Sequence, residues 1–391
     1  MRQIFEDSLE KLEKWIEDHN YKGYDPADGL TSYVRPLTLG NLFLDRLLQQ
    51  LIWRSPINLR PLLGVKPKDS FIGRGYMAWG YLTRFRATGV EKHKDKAIAC
   101  LNWLMTNRAP GHEEYAWGKM FDFASRGGRQ GKFEPITVWT SLIGFAFLEA
   151  YEVMGNKAYL EVVESVCNWI LSIPRNETAS GFCLNYTAKG EGDCTIHNQS
   201  MLAAALLARA FTYIERMEYL KVAKKAMAYT CTRQLPDGSW LYGEETKYHW
   251  IDNFHTGYNL DALKSYIEST KDKTYEGNLK RGFEFYKNNF FEATGRPKYY
   301  HNRAYPIDSQ CISQSIETLV NFSDYDHASL ELALRVAKWA IENMQDKSGY
   351  FYFTRYPVFT LKTPMIHWAQ ATTYKALALL LLKLNETKPR S

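Results

Sequence analysis

The string Trp250-Ile-Asp252-Asn253-Phe-His255-Thr-Gly-Tyr258-Asn259 places an acid, an amide, an imidazole and a phenol within two helical turns. An imidazole accepts a proton near neutral pH. Tyr258 can return one, and Asn253 can polarise a carboxylate or carbonyl. Such a set suits proton abstraction at uronate C5, the chemistry of an epimerase or lyase, with His255 as base and Tyr258 as acid. A purely structural reading has Asp252 or Asn253 capping a helix and His255 hydrogen-bonded in a core. Four such groups in one string favour the functional reading.

Three more loops carry related residues. Cys194-Thr-Ile-His197-Asn198-Gln-Ser offers His197 and Asn198, either cavity groups or caps. Tyr305-Pro-Ile-Asp308-Ser-Gln offers Asp308, a cavity carboxylate or an N-cap. Pro364-Met-Ile-His367-Trp368 adds a further imidazole and an indole that stacks on a ligand or fills the core. The long segment from Glu113 to Glu134 sets Asp122 beside aromatics, with Arg126 and Arg129 placed to grip a carboxylate or phosphate. It is otherwise a solvated rim. Asp122, Asp252 and Asp308 are the candidates if a carboxylate pair hydrolyses a glycosidic bond. Tyr115, Trp117, Trp240, Tyr242 and Trp368 are candidate stacking faces for a sugar.

Elements that repeat must position these loops. Val90–Trp103, Asn156–Trp169 and Arg216–Tyr229 are matching amphipathic segments, with looser copies ending at Tyr286 and Trp339. Apolar residues recur near i, i+3, i+4 and i+7 in each, and a glycine-containing turn follows. More apolar helices alternate with them, beginning near residues 71, 135, 196, 252, 305 and 364, a period of roughly 55–65 residues. A helix apolar most of the way round is buried, and its amphipathic partner faces solvent. Six buried helices inside a ring of outer ones make an all-α (α/α)6 toroid, a six-hairpin barrel. This predicts one domain over 1–391, a peripheral N-terminal helix within 1–20, and an outer helix at 39–54 that closes the ring. The candidate loops then gather at the inner-helix N-termini, whose free N–H groups and partial positive charge suit anions and hydroxyl-rich ligands.

Composition narrows the chemistry. The chain has 49 basic and 43 acidic residues, a net charge of +6, which helps a polyanionic sugar approach and gives little reason to expect nucleic acid. Its six cysteines form no C-x-x-C pair. No D-D-x-x-D metal motif, phosphate-binding loop or dinucleotide fingerprint occurs, so neither cofactor nor metal is expected. The N-terminus is too charged for a signal peptide. The longest apolar run, Ala376–Leu382, is far short of the roughly 20 residues that span a bilayer. A cytoplasmic protein with reduced thiols is expected; oligomeric state is open.

Gln234-Leu-Pro-Asp237-Gly238-Ser-Trp240 resembles the repeat turn of prenyltransferases and triterpene cyclases, and recurs loosely at Gln345–Tyr350. The D-x-D-D acid motif of class II terpene cyclases is absent. More broadly, several strings resemble a bacterial and archaeal family often encoded in capsule and exopolysaccharide gene clusters. They are Gly23-Tyr-Asp25-Pro-Ala-Asp28-Gly-Leu30, Ser55-Pro-Ile-Asn-Leu-Arg60-Pro, Trp117-Gly with Phe121-Asp122, Asp237–Gly243, Asp252–Asn259 and Tyr305-Pro-Ile-Asp308. Ile196-His197-Asn198-Gln199 departs from that family's Asn-Ala-Asn-like string. Some members carry the label delta-aminolevulinic acid dehydratase, but enzymes of that name are TIM barrels, and this chain shows no βα alternation. The resemblance implies a carbohydrate-active protein of cell-surface polysaccharide biosynthesis or modification, acting on a uronate-containing or other hydroxylated glycan. A non-catalytic saccharide-binding or assembly protein is the alternative, and an isoprenoid-processing toroid is a third.

Overall fold

The computed structural model describes residues 2–125, 127–189 and 195–387. In chain order the helices are α1 (Arg2–Asp18), α2 (Leu42–Arg54), α3 (Phe71–Thr88), α4 (Glu91–Thr106), α5 (Thr137–Met154), α6 (Lys157–Ser172) and α7 (His197–Ile214). They continue as α8 (Met217–Cys231), α9 (Asn253–Thr270), α10 (Glu276–Asn289), α11 (Ser309–Asn321), α12 (Ala328–Met344) and α13 (Thr372–Glu386), the last preceded by a π-helical turn at Ile366–Ala371. Among the described residues, strands are confined to short antiparallel pairings in the loops. These are β1 (Phe123–Ser125) with β2 (Gly128–Gln130), β3 (Arg175–Thr178) with β4 (Gly181–Leu184), and the trio β5 (Ile307–Asp308), β6 (Thr354–Arg355), β7 (Thr360–Leu361).

The inner ring is α3, α5, α7, α9, α11 and α13, each packed on the next, with α13 returning to α3. Composition explains which helices go inside. From Thr137 to Ala150, α5 is buried on every side. Its partner α6 buries only one face, through Tyr159, Val162, Val163, Val166 and Ile170. The expected (α/α)6 toroid is the fold.

The ring closes differently from the expectation. α1 packs on α13 and α12 and buries Phe5, Leu9, Leu12, Trp15 and Ile16. A repeated turn shows that α1 occupies an outer-helix position. Gln234 Nε2 donates to Gly238 O at 2.9 Å and to Asn278 O of α10 at 2.9 Å. Gln345 Nε2 donates to Gly349 O at 2.9 Å and to Ser8 O of α1 at 3.0 Å. Gly238 and Gly349 have φ of 92° and 109°, in the left-handed region. A Cβ on either would lie 2.4 Å from a carbonyl oxygen, that of Arg281 or of Lys11. α1 therefore stands to α12 as α10 stands to α8; it is the sixth outer helix and not a peripheral one.

The 39–54 segment does not close the ring. Its helix, α2, packs on the 3-10 turn Asp28–Thr31 and on β1, at the mouth formed by the inner-helix N-termini. The apolar content of α2 suggested a buried outer helix, yet much of it is exposed. Around the same mouth, the residue just before an inner helix bridges to a following loop: Ile136 to Thr187, Ile196 to Gly243, Asp252 to Tyr300 and Asp308 to Thr354. Met365 bridges to Tyr24, so the loop after α1 completes the belt.

Candidate active site

The belt encloses a cavity of ≈ 680 Å³ at the inner-helix N-termini. His255 enters it from the first turn of α9. Asp252 caps that helix by accepting His255 N–H at 3.0 Å, and its Oδ2 lies 2.7 Å from His255 Nδ1. An ionised carboxylate only accepts, so Nδ1 carries the proton and Nε2 is left as the basic nitrogen. Trp250 Nε1 also donates to Asp252 Oδ2, at 2.8 Å. Tyr242 stacks on Trp250 and lies 4.3 Å, ring to ring, from His255, holding the imidazole at the wall.

A second imidazole, His367, lines the same cavity from the π-helical turn. Its Nδ1 is 3.2 Å from Asp25 Oδ2, off the line of a good hydrogen bond. Burial lowers the His367 pKa and outweighs the pull of Asp25, so the ring gives up a proton more readily than a free imidazole. Asp25 also faces Lys119 Nζ at 3.5 Å. Burial pushes the Asp25 carboxyl upward, but Lys119 and His367 outweigh it and hold the group below the usual carboxylate range. Burial lowers Lys119 in turn, and its ammonium sits 4.5 Å from the centre of the Trp139 ring. Phe254 and Trp368, the chain neighbours of the two histidines, meet edge to face at 5.8 Å.

Of the other residues singled out in the sequence, Tyr258, Asn198, Tyr242, Trp368 and Arg129 line the cavity. The Tyr258 hydroxyl is tied to Tyr76 Oη at 2.8 Å and accepts from Gln310 Nε2 at 2.7 Å. Burial raises its pKa well above the ordinary phenol value. Arg129 pairs with Asp45 and donates to Gly40 O. Asn198 Oδ1 and Trp368 Nε1 are buried without hydrogen-bond partners.

The remaining candidates do not join them. Asn253 is buried behind α9, where its Oδ1 accepts from Tyr286 Oη and Ser315 Oγ, so it cannot meet a substrate carboxylate. His197 turns toward the outer helices, bonded to Thr230 and to Glu244, whose carboxyl this contact lowers. Asp308 caps α11 and bonds Thr354 Oγ1; burial raises its pKa to about 7. Asp122 pairs with Arg35 at 2.7 Å outside the cavity lining. None of Asp122, Asp252 and Asp308 lines the cavity, so no carboxylate pair for hydrolysis forms from them. Trp117 is fully buried with its Nε1 on Leu104 O, and Tyr115 stacks on it away from the cavity. Trp240 is buried in the hairpin turn, its Nε1 on Thr230 O. Arg126 lies outside the described residues.

The sequence reading missed Asp25, Lys119, Trp139 and Gln310 as cavity residues, and also Arg46, Trp53 and Arg54 from α2. Asp25 was visible only within the string Gly23–Leu30. Among the described residues, no cluster of His, Cys, Asp or Glu could hold a metal ion. Among the described residues, no helix is long and apolar enough to cross a membrane.

No protein-family model matches the sequence, and no curated protein sequence does. Solved structures do match in shape. Cellobiose 2-epimerase from Bacillus thermoamylovorans superposes with a TM-score of 0.62 at 11% identity, over 82% of this chain and 88% of that one. A GH76 α-mannanase from Bacteroides thetaiotaomicron gives 0.63 at 12%, over 81% and 87%. A D-mannose isomerase gives 0.61 at 12%, over 81% and 87%. At such identity the likeness establishes the shared toroid.

Proposed function

We propose that this chain is a carbohydrate-active enzyme that moves a proton at a sugar carbon beside a carbonyl or carboxylate, as an epimerase or isomerase does. The observation that carries this reading is the pair His255 and His367, each backed by a carboxylate and both lining the one cavity. One imidazole removes the proton and the other returns one, with roles exchanging as the reaction reverses. His367 takes the acid–base role expected of Tyr258, whose hydroxyl is occupied by Tyr76 and Gln310. Lys119, Arg46 and Arg54 supply positive charge for a developing enolate or a uronate carboxylate. Trp53, Trp139, Trp250 and Trp368 offer faces to sugar rings. The unpaired Asn198 Oδ1 and Trp368 Nε1 suit hydroxyl partners.

Charged and imidazole groups in the lining support a glycan over an isoprenoid. The shape likeness to cellobiose 2-epimerase and D-mannose isomerase supports the same class. A setting in cell-surface polysaccharide biosynthesis rests on the family resemblance of the quoted strings. The test is incubation in D2O with a panel of reducing oligosaccharides and uronates, read by NMR. Deuterium entering beside the carbonyl or at uronate C5, and lost in His255→Asn and His367→Asn, is the expected result. Saturable sugar binding with no exchange across the panel would make the protein a saccharide-binding module.

A further inference from the structure

α2 has two faces of opposite character. One lines the cavity through Arg46, Gln49, Trp53 and Arg54. The other is apolar and uncovered. Phe43, Leu47 and Leu51 recur every fourth residue, share one face, and are 69%, 44% and 60% exposed. Leu37 and Leu39 lead into it at 77% and 88% exposed. Ten of the seventeen large apolar side chains that stand exposed among the described residues fall between Tyr33 and Leu62. A contiguous apolar face of this kind marks an interaction surface.

Charge identifies the occupant. Residues 33–68 hold six basic residues, Arg35, Arg46, Arg54, Arg60, Lys66 and Lys68, against the single acid Asp45. Asp45 is buried and paired with Arg129, while Arg60 is buried against Asp28 and Arg35 is paired with Asp122, so the surplus that faces outward is Arg46, Arg54, Lys66 and Lys68. A second copy docked face to face would set this basic surplus against itself. An anionic lipid surface complements it. An exposed apolar stripe flanked by Lys and Arg is the pattern of a helix lying in a membrane interface.

We propose that the outer face of α2 and its flanking turns dock the protein on anionic membrane surfaces, setting the cavity mouth at the headgroup layer. This is independent of the reaction assigned to the cavity. The test is flotation of the full chain with vesicles of phosphatidylcholine alone or mixed with phosphatidylglycerol. Binding to the mixed vesicles, weakening as salt rises, is expected. Phe43→Asp with Leu47→Asp should lower the apparent affinity roughly tenfold or more, with an unchanged thermal melt because both side chains are already exposed. Lys66→Glu should weaken binding to the mixed vesicles. Absence of flotation, equal flotation on both vesicle types, or a Phe43/Leu47 variant that binds like wild type would each overturn the proposal. A dimer split by Phe43→Asp, without vesicle binding, would assign the face to a second copy and equally overturn it.

Discussion

Asp252 holds His255 twice, accepting its backbone N–H at 3.0 Å through Oδ1 and its Nδ1–H at 2.7 Å through Oδ2. One carboxylate thus starts α9 and fixes the imidazole tautomer in the cavity wall. Asp252→Asn keeps a capping oxygen but weakens control of the ring. The expected result is a fall in turnover within the roughly 10²–10⁴-fold range of general acid–base groups, with little change in melting temperature. Deuterium-exchange rates and a thermal melt measure the two separately. An unchanged rate would remove His255 from the chemistry.

Tyr258 and His367 compete for the second proton-transfer role, and two variants separate them. His367→Asn is expected to cost roughly 10²-fold or more in exchange rate. Tyr258→Phe loses its hydrogen bonds to Tyr76 and Gln310 and should cost much less in rate. The reverse order would return the acid role to Tyr258. Asp25→Asn adds a pH readout. Asp25 pulls the His367 pKa upward against burial, so its removal should shift the acid limb of the rate profile to lower pH.

Six apolar segments at a regular period were enough to count the inner helices. The expected starts near 71, 135, 196, 252, 305 and 364 lie within four residues of Phe71, Thr137, His197, Asn253, Ser309 and Ile366. Side-chain direction at those starts was not legible. Each residue turns the helix by about 100°, so Asn253 and His255, or His197 and Asn198, face different ways. Inner helices buried all round give no apolar stripe to reveal their rotation. Asp25 was lost for another reason: it reaches His367 only because α1 closes the ring and brings its following loop across the mouth.

That closure can be tested with two leucines. Leu9 on α1 is 0% exposed, and Leu51 on α2 is 60% exposed. Leu9→Ala should destabilise by about 2–5 kcal/mol. Leu51→Ala should stay within about 0.5 kcal/mol of wild type. Urea titration of both variants measures the contrast. If Leu51→Ala proves the costlier change, α2 and not α1 is packed against the ring.

Breaking the buried Arg60–Asp28 pair should also be costly. Arg60 Nε donates to Asp28 Oδ1 at 2.8 Å, with both side chains almost sealed from water. Arg60 Nη2 donates to Asp25 O, so the pair also steadies the loop that presents Asp25. Arg60→Met leaves Asp28 buried and unpaired, which should cost about 3–5 kcal/mol, read as a lower urea midpoint. The double variant Arg60→Met/Asp28→Leu should recover part of that loss. Failure of the single variant to destabilise would mean that the pair contributes little to the loop.

Asp308 gives a pH-dependent prediction with a definite sign. Burial raises its pKa from 3.8 to about 7 in the folded chain, against the lowering effect of Gln310 N–H and Thr354 Oγ1. The folded state therefore keeps a proton that the unfolded chain releases near pH 4. Stability from this group is complete below about pH 4 and is lost as pH rises toward about 7. Asp308→Asn preserves the cap and has no proton to lose. The variant should match wild type near pH 4 and exceed it, on the order of a few kcal/mol, near pH 8. Asp261 shares the same direction of shift, to about 7, while Asp25 shifts oppositely, so the difference between variant and wild type isolates Asp308. Urea titrations across that pH range provide the measurement. A difference that stays constant with pH would show that Asp308 is not protonated in the folded chain at neutral pH.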